Sequence, residues 1–249
     1  SQRLTPDPAW TARVRLRRQQ LAAARRVIEP AEARAATAAP AAERSFSIMV
    51  RGSDYALAKN YQTVRARLTT TGEHCAAYVD SDCSMTDDLR ALVQDAVQTF
   101  DREVYPVAVR ALGRHRDVDG DGRFAMLFTP WLGRLSDGAV SLGGFVRGSD
   151  FYSDLEPPLG NQCDMMYLNS ALVPGPHLRT LIAHEYTHAV TLCEHVFGRY
   201  LPDCLGQEEE SWLDESLAHV AENLHGYSWS NLDYRVSGFL SSPERHRLV

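Results

Sequence analysis

Residues 177–200 read HLRTLIAHEYTHAVTLCEHVFGRY, and within them stand His184, Glu185, Tyr186, Thr187 and His188. On an α-helix, residues four apart lie one above the other, so His184 and His188 can turn both imidazoles toward one metal ion. Glu185 sits about 100° round the helix from His184, within reach of a metal-bound water without itself ligating. That is where a general base belongs. Pro176 suits a first helical turn, and Leu178, Leu181, Ile182, Ala189 and Leu192 give the helix a buried side. Such a histidine-glutamate pattern arises by chance in roughly two per cent of chains this long, so a third ligand decides the reading.

A catalytic zinc ion has three protein ligands and an open fourth position. Glu194, six residues after His188, stands where a metzincin places its third ligand, but Thr191 replaces the glycine that turns such a chain out of its helix. A helix that continues carries Glu194 away from the metal, and His195 is one residue out of register for the same scheme. The stronger candidate lies in SWLDESLAHVAENLHG, residues 211–226. Ser211 can cap a helix on which Glu215, His219 and Glu222, at i, i+4 and i+7, share one face. A glutamate on a second helix packed across the first completes a site of His184, His188 and Glu215.

Upstream of these helices the pattern changes. SFSIMV (45–50) and CAAYVD (75–80) have strand character, YALAKNYQTVRARLT (55–69) is helical by periodicity, and MTDDLRALVQDAVQTFDREVYPVAVRAL (85–112) is a long helix interrupted at Pro106. RFAMLFTP, GGFVRG and MMYLNS are apolar runs bounded by Gly, Pro and Asp, and read as strands. GGFVRG is expected either at a sheet edge beside the cleft, where a substrate backbone can add as a strand, or inside the sheet after a Gly-Gly bulge. The fold class that follows is α+β: a mixed β-sheet leading into an active-site helix and a mainly helical C-terminal part. No internal repeat is visible.

Composition is that of a globular protein, and no apolar run approaches the length of a membrane span. Residues 1–44 hold nine Arg against four acids, about +5; given the formal net charge of −6, residues 45–249 carry about −11. An Arg-rich helix followed by an Ala/Pro-rich stretch makes 1–44 a basic arm, linker or pro-segment ahead of a domain spanning 45–249. No aromatic-rich basic groove follows, so nucleic acid is not an expected partner. The chain opens at Ser1 without a basic-then-apolar start, which places any export signal outside this sequence.

Five cysteines, at 75, 83, 163, 193 and 204, are spaced for two local disulfides, Cys75–Cys83 and Cys193–Cys204, with Cys163 left over. Such bridges imply an oxidising compartment; the alternative is a set of reduced, buried thiols. DVDGDG offers Asp117, Asp119 and Asp121 at alternate positions before Gly122, as in the first half of a calcium loop. Phe128 stands where a bidentate glutamate would close that loop. As a turn the segment needs no ion, because Asp and Gly supply the backbone shapes unaided.

The pair of motifs resembles the gluzincin metallopeptidases, whose second motif reads W-L-N-E-G in several families and here reads WLDES, with Asp214 for Asn and Ser216 for Gly. By that alignment Glu215 is the third ligand, and His219 and Glu222 on its face are placed to hold the ligating imidazoles from behind. YVD, FDREVYP, DVDGDGRFAMLF, GGFV, DMMYLN, LIAHEYTHAV and WLDESLAHVAE follow in the order seen in hyicolysin-like secreted metallopeptidases, a likeness spanning about residues 74–240. The resemblance implies a zincin-like fold, a bound Zn2+ and a secreted endopeptidase acting on protein or peptide substrates with Glu185 as base; a monomer is the expected state. It also implies a late transition-state stabiliser, for which Tyr227 or Tyr234 are candidates after the ligand helix. The chain departs from the family between His188 and Glu215, where it carries Cys193, Cys204 and the acidic QEEE, and it ends at Val249, where such enzymes often continue with more helices. The competing expectation is a non-catalytic or latent binding or adhesion domain that keeps the gluzincin fold and its zinc.

Overall fold

The computed structural model describes residues 39–52, 54–135, 142–197, 211–227, 237–238 and 240–242. Most of the expected basic arm and linker therefore lies outside the described residues. β1 (Glu43–Met49), β2 (Tyr61–Thr71) and β3 (Cys75–Asp80) form an antiparallel meander. β4 (Phe124–Thr129) and β6 (Met165–Asn169) continue the sheet parallel to β3, and β5 (Gly144–Phe145) pairs antiparallel with β6. The order is β1-β2-β3-β4-β6-β5, so GGFVRG supplies an edge strand. The helices are α1 (Asp87–Thr99), α2 (Tyr105–Ala111), α3 (Trp131–Leu135), α4 (Pro176–Phe197) and α5 (Ser211–Leu224).

Alternation along the strands divides the core in two. Ala77 and Val79 of β3, Met126 and Phe128 of β4 and Met166 and Leu168 of β6 face α1 and α4, meeting Leu92, Val93, Ala96, Ile182, Tyr186 and Ala189. Ala76, Tyr78, Leu127, Met165 and Tyr167 face the other way, onto Phe46, Ile48, Val64 and Leu132. β3, β4 and β6 are buried on both faces throughout, which is why they read as unbroken apolar runs. On that side α1 begins at Thr86, whose side chain accepts from Leu89 N at 3.2 Å, with Asp87 and Asp88 complementing the helix N-terminus. A π-helical turn at Phe100–Val104 leads into α2 and places Pro106 in its first turn, so the expected interruption occurs one turn early.

Two expectations fail. The stretch 55–69 is not a helix: after a 3-10 turn at Ala58–Asn60 it becomes β2, with Val64 and Ala66 buried and Thr63, Arg65 and Arg67 exposed. Pairing along the full length of β1, including Phe46 opposite Val64, satisfies this backbone. The Cys75–Cys83 bridge does not form, and both thiols are free. β3 itself separates them: the extended run from Cys75 to Asp80 spans about 17 Å, against the 4–7 Å between Cα atoms that a disulfide requires. Cys75 Sγ instead contacts Asp101 Oδ1 at 3.7 Å. Cys193 is also a free thiol, accepting Arg116 N at 3.2 Å, and its expected partner Cys204 lies outside the described residues.

The segment between β5 and β6 is pinned to β1 by a buried polar network. The Arg147 guanidinium grips Asp150, with Nε 3.1 Å from both carboxylate oxygens, and Nη2 donates to Ser47 O at 3.0 Å. Tyr167 Oη donates to Asp150 Oδ2 at 2.7 Å, and Asn161 N to Oδ1 at 2.9 Å. This fixes where β5 leaves the sheet, beside α4. Among the described residues no helix is long and apolar enough to cross a membrane.

Candidate metal centre

α4 runs unbroken through Phe197, with the Thr187 hydroxyl returning to the helix backbone at Ala183 O (2.8 Å). The uninterrupted helix carries Glu194 out of the site, where it faces Gly113. Tyr186 anchors the back of α4: its hydroxyl lies 2.7 Å from His115 Nδ1, whose Nε2 is 3.1 Å from the buried carboxylate of Asp164. Burial raises the Asp164 carboxyl, against the opposing effect of His115.

On the opposite side of α4 the two imidazoles converge. His184 Nε2 and His188 Nε2 are 3.1 Å apart, and the Glu215 carboxylate from α5 stands 3.6 Å from the first and 3.9 Å from the second. The far nitrogens are each taken by a carboxylate: His184 Nδ1 lies 2.8 Å from Glu222 Oε1, and His188 Nδ1 2.8 Å from Asp214 Oδ2. Burial alone disfavours charge on these groups, yet the hydrogen bonds outweigh it, holding His188 above its ordinary value and Asp214 and Glu222 below theirs.

This arrangement fits a cation. Ionised carboxylates only accept, so each Nδ1 must carry the proton and each neutral ring then presents a lone pair at Nε2. With both rings neutral, two lone pairs 3.1 Å apart cannot bond one another, and either a cation between them or a proton on one ring would join them. Tetrahedral zinc at about 2.0–2.1 Å from its ligands spaces them about 3.3 Å apart, and the two nitrogens with the Glu215 oxygen form such a group.

Glu185 is buried at 6 % exposure, and burial raises its carboxyl against the pull of His188 and His184. It borders a cleft of about 460 Å³ between the β5 edge, with Gly144, Phe145 and Val146, and the faces of α4 and α5 that carry the histidines and Glu215. A Cβ at Gly144 would lie 3.0 Å from Tyr167 O and 3.4 Å from Glu185 Cγ, so the missing side chain is what lets β5 close on α4.

Of the residues expected to hold the imidazoles, Glu222 does so directly. His219 does not reach a ligand ring by hydrogen bond; its Nδ1 meets Glu222 Oε1 at 2.9 Å. Asp214, read from the sequence only as a replacement for asparagine, holds His188, and the spacing carried no signal for that role. Tyr227 is not brought to the cleft: its hydroxyl donates to Glu103 Oε2 at 3.1 Å. Tyr234 lies outside the described residues.

The aspartate loop is rearranged relative to expectation. Asp117 and Asp119 gather with Asp164, while Asp121 turns aside and accepts Arg123 N at 2.8 Å. Asp117 accepts Gly120 N at 2.8 Å and Gly122 N at 3.2 Å, both glycines having positive φ, and the Arg44 guanidinium pairs with Asp119. The loop's own backbone and Arg44 meet some of these oxygens, while Asp119 Oδ1 is buried with no hydrogen-bond partner among the described residues, and Asp117, Asp119 and Asp164 form a group that could hold a cation.

In comparison with known proteins, the chain matches no family model and no curated protein.

Proposed function

We propose that the chain is a zinc-dependent endopeptidase of the hyicolysin-like, gluzincin kind, with a zincin-like fold, exported and acting as a monomer on protein or peptide substrates. The observation that carries the reading is the convergence of His184 Nε2, His188 Nε2 and the Glu215 carboxylate, each imidazole backed by a carboxylate. His184, His188 and Glu215 would hold the zinc, which supplies Lewis acidity for amide hydrolysis when bound.

The chain's own residues account for the remainder. The edge of β5, which pairs with no further strand among the described residues, aligns an extended substrate backbone along the cleft by strand addition. Glu185, on the same helix as the two histidines and at the cleft wall, accepts a proton from the attacking water at its carboxylate and returns it to the leaving amine nitrogen. Export rests on the family resemblance, since the Cys75–Cys83 bridge that would have supported it is absent.

Glu185→Gln tests the reading, with zinc per chain and cleavage of casein or a peptide as the two measurements. The expected outcome is zinc content equal to wild type and cleavage reduced by about 10²-fold or more. A variant that binds zinc and cleaves at the wild-type rate removes Glu185 from its role.

A further inference from the structure

We propose that His219 is a positioning residue of the metal centre, acting on His184 through Glu222; this rests on the zinc reading of His184, His188 and Glu215. His219 and Glu222 are one turn apart on α5, both buried. One carboxylate oxygen, Glu222 Oε1, receives both rings: His184 Nδ1 at 2.8 Å and His219 Nδ1 at 2.9 Å. The carboxylate is therefore pinned from two sides, and the orientation it imposes on His184 is the one that sends Nε2 toward His188.

The other half of the site is built on the same plan. Asp214 holds His188 through Oδ2, and its second oxygen accepts the Thr191 hydroxyl at 2.8 Å. Each ligand imidazole thus has a carboxylate, and each carboxylate also receives a second side-chain donor, Thr191 at Asp214 and His219 at Glu222. The second nitrogen of His219 points to the same conclusion. Nε2 is buried, and it has no hydrogen-bond partner among the described residues. Leaving a buried polar atom unpaired is unfavourable, and an apolar ring of similar shape would avoid it. What a histidine supplies here that phenylalanine cannot is the N–H to Glu222.

A structural role and a positioning role therefore predict opposite patterns. His219→Phe keeps a ring and removes the donor; His219→Asn keeps an N–H where Nδ1 stands. Zinc affinity is measured by chelator competition, and the stability of the metal-free chain by urea denaturation. For His219→Phe the expected result is metal-free stability equal to or above wild type with a zinc dissociation constant raised about tenfold. His219→Asn recovers most of the affinity, and His219→Phe adds no further loss in a Glu222→Gln background.

Wild-type affinity in His219→Phe, or a loss of affinity that simply follows a loss of metal-free stability, overturns the role while leaving the zinc reading intact. So does a second zinc equivalent in the wild type that disappears in His219→Phe, because His184, His219 and Glu222 could themselves hold an ion and His219 would then be a ligand. A wild-type chain that takes up no zinc overturns the zinc reading and this role together.

Discussion

At the scale of single residues, the site depends on proton placement as much as on ligand identity. Asp214 fixes the proton of His188 on Nδ1 and leaves Nε2 as a donor of electrons to a metal. Asp214→Asn keeps the shape and a hydrogen-bonding oxygen but removes the charge that favours this tautomer. We expect its zinc dissociation constant to rise about 10–100-fold with the fold intact, measured by chelator competition alongside the unfolding transition. Affinity within twofold of wild type would show that the carboxylate is incidental. The convergence of His184 and His188, with Glu185 beside them at the cleft, was legible because helical spacing alone puts them on one side of a helix. Asp214 was legible only as a residue replacing asparagine, since its partner is chosen by how α5 crosses α4, which the spacing within either motif does not encode. The cysteines failed for the converse reason: seven intervening residues allow a bridge only if the chain bends, and CAAYVD is extended.

At the scale of elements, misreadings occurred where one sequence satisfies two periodicities. Leu57, Tyr61, Val64 and Leu68 recur at i, i+4, i+7 and i+11 and mark a helix, yet the same segment alternates Val64 and Ala66 against Thr63, Arg65 and Arg67. The long partner β1 decides between them, and that is non-local information. β5 shows how little sequence a cleft wall needs: two residues, of which Gly144, lacking a side chain, lets the strand approach α4. Gly144→Ala places a Cβ 3.0 Å from Tyr167 O, 3.2 Å from Leu168 Cδ2 and 3.4 Å from Glu185 Cγ. The backbone oxygen of a buried strand yields little, so β5 must lift away from α4 or Glu185 must shift. Either movement separates substrate, base and metal ligands by a few tenths of an ångström. We expect kcat/KM to fall about 10–100-fold with zinc content unchanged. Wild-type turnover in this variant would mean that β5 does not set the distance between substrate and Glu185.

At the scale of the whole molecule, the balance of charge over 45–249 is acidic, and several carboxylates are buried: Asp80, Asp121, Asp150, Asp164, Glu185 and Glu222. Most have a committed partner. Asp150 has Arg147, Asp164 has His115, Asp80 accepts the Thr129 hydroxyl at 2.7 Å and Glu222 has two histidines. Asp121 differs from Asp150, Asp164 and Glu185 in that, after burial, its nearest charge also opposes ionisation. Burial, then the nearby Asp119, push its carboxyl up to about 6, with the bond from Arg123 N opposing and Asp164 and Asp117 adding to the rise. The unfolded value is about 3.9. Between these values the folded chain binds a proton that the unfolded chain does not, so this group's effect on stability becomes more favourable as pH falls from above 6 toward 4. Asp121→Asn, which keeps an oxygen for Arg123 N and cannot ionise, removes that dependence. Urea denaturation of both chains in the presence of a chelator, at steps from about pH 7 to about pH 4, isolates the difference. The wild type should gain on the variant by on the order of 1–2 kcal/mol across that range, a figure reduced from the full shift because the loop lies near solvent. A gap that stays constant with pH would mean that Asp121 titrates alike folded and unfolded. The aspartate loop would then be a solvated turn rather than a place where the fold tolerates an unfavourable buried charge.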